Sequence, residues 1–150
     1  LLLLGDKLLG KFPVLRAVYT GTREVTRAFS GDRTKNFRRV VLVHAVRRGN
    51  ELTYRDVIAG IGADHSGAFS YVPMVSREPH PGALAGRIPD AIRDGSLESR
   101  AGVALTAANS QVMLCGNPAM VDDTQKTLEA RGMRRHRRRE PGQVTVETYW

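Results

Sequence analysis

Apolar positions along this chain fall into two alternating rhythms. Val14 to Tyr19 and Val40 to His44 are short apolar runs, the second continuous in the manner of a strand buried on both faces of a parallel sheet. Phe69 to Val75 is a third strand candidate, weakened by Pro73, while Val112 to Cys115 is a fourth and Gln143 to Trp150 reads as an edge strand. Between these runs the period changes to that of a helix. Glu51 to Ile61 sets Leu52, Val57, Ile58 and Ile61 roughly on one face, with Gly60 and Gly62 near its end. A second helix is predicted from near Pro89 to Gly95, and a third from Pro118 to Gly132 with Val121, Thr124 and Leu128 on one stripe. Strands alternating with helices imply right-handed crossovers, so the expected fold class is α/β, with a doubly wound, mostly parallel sheet of about five strands. At 150 residues the chain suffices for one packed domain, and it contains no internal repeat.

The junction from Gln111 to Met120 is the most informative local pattern. After the strand, Gly116 turns the chain, Asn117 is a helix cap, and Pro118 occupies the first helical position, where a missing N–H costs nothing. Such a strand, turn and helix lie at the carboxyl edge of a parallel sheet, where a helix N-terminus offers N–H groups and partial positive charge to a ligand. A second ligand-facing segment is the Gly/Pro-rich loop from Arg77 to Gly86. Arg77 follows the third strand and Arg87 opens the next helix, so folding brings two planar guanidinium forks to one sheet edge, a geometry suited to phosphate.

Charge and cysteine usage narrow the classes. The formal net charge is +8, and Arg134-Arg135-His136-Arg137-Arg138-Arg139 contributes five arginines to it. Three readings stay open for that run: a solvated surface, a contact with an anionic ligand or an acidic protein, or a phosphate-neutralising patch for nucleic acid. The last is least favoured, because no aromatic residues interleave with the arginines. One cysteine, Cys115, forms no internal disulfide, which makes the cytoplasm the expected compartment. Leu1 to Leu4 is broken by Gly5-Asp6-Lys7 and is far short of the ~20 apolar residues of a membrane helix. His44, His65, His80 and His136 show no partners in sequence that suggest a catalytic triad, and no metal-ligand spacing occurs. No catalytic side chain and no metal site is therefore expected.

Several ordered motifs carry a family resemblance. Val41-Leu42-Val43-His44-Ala45-Val46-Arg47, Glu51-Leu52-Thr53-Tyr54-Arg55-Asp56, Val75-Ser76-Arg77-Glu78, Gly86-Arg87-Ile88-Pro89, then Val112 to Val121 and the terminal Tyr149-Trp150 resemble, in order and spacing, the carboxyl-terminal part of bacterial ferredoxin(flavodoxin)-NADP reductases. The resemblance spans about residues 36 to 150. It implies the Rossmann-like NADP-binding domain of a two-domain oxidoreductase that uses NADP(H) and FAD and exchanges electrons with an acidic carrier, ferredoxin or flavodoxin. On this view residues 1–12 are the remnant of a connector from an absent FAD-binding barrel, 13–150 form the NADP-binding domain, and the chain alone is inactive. The alternatives are a non-catalytic basic module binding nucleotides or nucleic acid, and an inactive truncated remnant.

The resemblance also implies roles for residues. Arg47, Arg77 and Arg87 match the family's arginines for the 2′-phosphate or the adenine; Cys115, Gly116 and Asn117 match its nicotinamide-side turn; Tyr149 and Trp150 match a tail that covers the FAD adenine. Thr20, Gly21 and Thr22 match the start of its pyrophosphate loop. There the pattern departs. The family continues with a second glycine, a hydrophobe and Ala-Pro-Phe, whereas this chain reads Arg23-Glu24-Val25-Thr26-Arg27-Ala28-Phe29, adding bulk and a negative charge where phosphates approach the backbone.

Overall fold

A computed structural model of the chain describes residues 38–147. The strand candidate at 14–19, Thr20-Gly21-Thr22, the connector at 1–12 with its boundary at 13, and Tyr149-Trp150 lie outside the described residues.

Strand β1, Val40–Val46, pairs in parallel with β2, Phe69–Val75, along its whole length, and β2 pairs with the two-residue β3, Leu84–Ala85. Pro73 is tolerated inside β2 for a topological reason. Pairing with β3 begins only at Met74, so at residue 73 the ladder runs on the β1 side alone and the missing N–H is not demanded on the other. Strand β4, Val112–Cys115, pairs in parallel with β5, Val144–Glu147, as a second sheet among the described residues. Helices stand between strands as the alternating pattern requires: α1, Arg55–Asp64; α2, Ile88–Arg93; α3, Ser96–Ala101; and α4, Pro118–Glu129.

Three elements differ from the periodicity. The helix expected from Glu51 begins instead at Arg55, because Gly49–Glu51 closes a 3-10 turn whose Glu51 carboxylate accepts the Arg48 N–H at 2.7 Å. Leu52 is then buried from the connector while Val57 and Ile61 face outward, 58% and 41% exposed. Helix α3 follows the expected helix stop at Gly95, in a segment to which the pattern assigns no element, and strand β3 lies within the expected loop. Gly95 and Gly102, both in the left-handed region at φ 79° and 64°, bracket α3 and give the chain its two reversals.

The core is continuous across both sheets. Val72 and Met74 of β2, Ala91 and Ile92 of α2, Leu97 and Ala101 of α3, Leu114, Val121, Leu128, Met133 and Val144 form one buried cluster. In α4 the stripe Val121, Thr124, Leu128 is the buried face, and the Thr124 hydroxyl is satisfied by donating to the Met120 carbonyl at 2.7 Å. Gly132, at φ 78°, reverses the chain after α4; the Met133 N–H then donates to the Leu128 carbonyl at 3.1 Å, and Met133 enters the core.

Candidate functional site

Register decides where the arginines go. Val46, Val75 and Ala85 are aligned across β1, β2 and β3, so all three strands finish at one edge. Arg47 follows directly. The Arg77 N–H donates to the Arg47 carbonyl at 2.9 Å, and the Gly86 N–H to the Val75 carbonyl at 3.2 Å, one residue before Arg87. Arg47, Arg77 and Arg87 therefore share the carboxyl edge of the three-stranded sheet. Their side chains are exposed, and among the described residues none makes a hydrogen bond or ion pair. Three uncompensated guanidinium groups at the end of a parallel sheet form an anion-selective surface with the fork geometry that phosphate oxygens accept.

The loops carrying these arginines are tied together by Glu78, which lies in one of the motifs but is given no role by the sequence. One Glu78 carboxylate oxygen accepts the Gly49 N–H at 2.7 Å, and the other lies 3.8 Å from the Arg48 guanidinium. The His80 imidazole occupies the space that a β-carbon on Gly49 would need, so the loop after β1 closes against the loop after β2 only with glycine at 49.

At the end of β4 the turn is as the sequence pattern implies. Gly116 adopts φ 138°, a region that side chains avoid, and a β-carbon there would press on the Met120 methyl. The Asn117 side chain accepts the Ala119 N–H at 3.0 Å and caps the twelve-residue α4 behind Pro118. Cys115 is exposed and pairs in register with Glu147 of β5.

The arginine run lies elsewhere. Arg137 and Glu140 exchange backbone hydrogen bonds at 2.9 and 3.0 Å, which sets Arg138 and Arg139 at the tip of a tight turn. This turn precedes β5, at the amino end of the β4–β5 pair, whereas Cys115 and Gly116 are at the carboxyl end. Four residues of strand span about 10 Å, so the run does not line the turn at Gly116.

Histidines have structural partners after all. His44 Nδ1 lies 3.2 Å from the Tyr71 hydroxyl, and burial lowers the His44 pKa and raises that of Tyr71. His136 Nδ1 accepts the Gly142 N–H at 3.3 Å. Neither pair adjoins a nucleophile, and among the described residues no cluster of metal-ligating side chains forms.

Residues 19–126 match the family model for the oxidoreductase NAD-binding domain. The chain belongs to that family. The match runs from the Thr20-Gly21-Thr22 segment into α4, so it takes in both the arginine edge and the Gly116 turn, while the arginine run lies past it. Among curated proteins, the flavodoxin/ferredoxin–NADP reductase of Buchnera aphidicola subsp. Schizaphis graminum is 41% identical over 115 residues, which is 76% of this chain and 45% of the relative. The protein of the same name from Escherichia coli K12 is 44% identical over 115 residues, covering 76% and 46%. Among solved structures, a ferredoxin NADP+ reductase from Neisseria gonorrhoeae with bound FAD and NADP superposes with a TM-score of 0.67 at 37% identity, over 73% of this chain and 44% of that one. The chain spans a little under half the length of these relatives. Among the described residues no helix is long and apolar enough to cross a membrane.

Proposed function

We propose that this chain is the NADP(H)-binding domain of a cytoplasmic, flavin-dependent ferredoxin- or flavodoxin-NADP reductase, acting with an FAD-binding domain and an acidic electron carrier. The observation that carries the proposal is the meeting of Arg47, Arg77 and Arg87, exposed and uncompensated among the described residues, at one carboxyl sheet edge. Those residues fit the 2′-phosphate of NADP, a dianion at neutral pH that NAD replaces with a hydroxyl. The capped α4 terminus and the side-chain-free backbone at Gly116 fit the approach of the nicotinamide half, with Cys115 as a contact. When bound, NADP(H) supplies the hydride exchanged with the flavin. This chain's own residues bind and orient the nucleotide: the arginines anchor its adenosine end, and the Cys115-Gly116-Asn117 turn fixes the position of the reacting ring. Thr20, Gly21 and Thr22 are assigned to the nucleotide, and Tyr149 and Trp150 to the flavin, by their match to the family's motifs.

Calorimetric titration with NADP+ and NAD+ tests this assignment. NADP+ is expected to bind more tightly, and Arg77→Ala to shrink the gap by about 1–2 kcal/mol, the worth of one solvent-accessible charge-assisted contact. Equal affinities in the unaltered chain would remove the arginine assignment and favour a basic module that reads phosphate without regard to the 2′ position.

A further inference from the structure

Among the described residues Glu78 is the one carboxylate that joins the two loops on which Arg47 and Arg77 stand. Its position is electrostatically adverse if the edge binds phosphate, because a negative charge one residue from Arg77 repels the ligand that the arginines attract. A carboxylate can still serve such an edge through a task that its charge does not forbid. The geometry supplies that task. One oxygen accepts the Gly49 N–H at 2.7 Å across 29 residues of sequence, and the second lies 3.8 Å from Arg48. The Gly49 backbone is buried beneath His80, so its N–H is a donor with restricted access to water, and a bond to a carboxylate satisfies it. Gly49 is two residues beyond Arg47 and Glu78 one beyond Arg77; with the Arg77 N–H to Arg47 carbonyl bond, the two loops are held at the arginines' own backbone and again just beyond them.

From this arrangement, and resting on the NADP-binding function proposed above, we infer that Glu78 is a positioning residue for 2′-phosphate selectivity, fixing Arg47 and Arg77 relative to each other through its bond to Gly49. It does not touch the nucleotide. Its action is to lower the number of arrangements the two guanidinium groups sample before binding, which strengthens the bound state through preorganisation rather than through a new contact.

The signs separate this role from a purely electrostatic one. Glu78→Ala removes both the acceptor and the repulsive charge; Glu78→Gln removes the charge and keeps an acceptor oxygen for Gly49; Glu78→Asp keeps the charge and withdraws the oxygen by one methylene. The probes are adenosine 2′,5′-bisphosphate and 5′-AMP, titrated into the full chain and the three variants by calorimetry, with thermal melts to compare folding. Positioning predicts that Ala and Asp weaken the bisphosphate by about tenfold while 5′-AMP changes by less than about twofold, and that Gln binds the bisphosphate as well as the unaltered chain or slightly better. The Gly49 amide proton, followed by NMR, moves in the Ala and Asp variants and stays in place in Gln. Should Ala not fold, Asp decides the matter with the charge unchanged. Bisphosphate binding by Asp as tight as in the unaltered chain overturns the proposal, as does equal or tighter binding by a folded Ala variant, while the nucleotide assignment survives. An unaltered chain that binds both probes alike overturns the assignment and the positioning role together.

Discussion

Leu128→Ala is expected to destabilise the domain by about 2–5 kcal/mol, read as a lower midpoint in urea with an unchanged slope. Leu128 is 0% exposed and belongs to the buried cluster with Leu114, Val121, Met133 and Val144. Its carbonyl also receives the Met133 N–H after the reversal at Gly132, so the helix end, the turn and the following core residue are fixed together. A cavity at this point is bounded by a helix on one side and the β4–β5 ladder on the other, neither of which moves inward without breaking backbone hydrogen bonds elsewhere. That places the cost toward the upper part of the range. Asp122→Ala, on the exposed face of the same helix, is the control and is expected to stay within about 0.5 kcal/mol. A Leu128→Ala loss below about 1 kcal/mol would mean that α4 is not seated on the core as described.

How much of this fold is legible in the sequence depends on element length and on the range of the deciding contacts. Phe69–Val75 is predicted to the residue because five of its seven positions are strongly apolar or aromatic and its ends are marked by a glycine loop and by Ser76-Arg77. Helix α4 is legible because Asn117-Pro118 and Gly132 announce both ends and a twelve-residue stripe lies between. Helix α3 is not: six residues show only one i,i+4 pair, Leu97 and Ala101, which is too little periodicity to separate from a loop. Strand β3 is two residues long and exists only as the partner of Met74 and Val75. The same division holds for the site. Arg77 is placed at an edge by its position just past a strand end and Arg87 by its position at the opening of the next helix, both local signals. Glu78 to Gly49 is a contact across 29 residues, and nothing local distinguishes Gly49 from a turn glycine. Gly142 makes the point again: it is glycine because the carbonyl groups of Arg134 and Arg135 lie where a β-carbon would stand, which is a matter of space and not of backbone angle.

Arg131→Met is expected to cost about 2–4 kcal/mol at pH 7 and clearly less at pH 3. Arg131 donates to Glu98 at 2.6 Å and to the Ile92 carbonyl at 2.8 Å, joining the end of α4 to α2 and α3. Its side chain and that of Glu98 are 30% and 23% exposed, so the pair is partly shielded, and its loss leaves a carboxylate and a carbonyl short of a donor. Glu98 also accepts the Leu105 N–H at 2.7 Å, and this bond, followed by the one from Arg131, holds its pKa below the ordinary 4.5, against a smaller opposing effect of burial. The sign follows from that direction. A carboxyl group with a depressed pKa in the folded protein stabilises it above the unfolded pKa, and the contribution is lost as pH falls from about 4.5 through the folded value. At pH 3, below the ordinary 4.5, part of that contribution is already gone, so removing Arg131 deletes less. Asp94 also has a lowered pKa, through its bonds to Ser96, but it is exposed and common to both proteins, so it cancels in the difference. Urea denaturation of the unaltered chain and the variant at both pH values measures that difference. An equal cost at pH 7 and pH 3 would show that Arg131 acts through the Ile92 carbonyl and its packing alone, and that the ion pair with Glu98 contributes nothing to the fold.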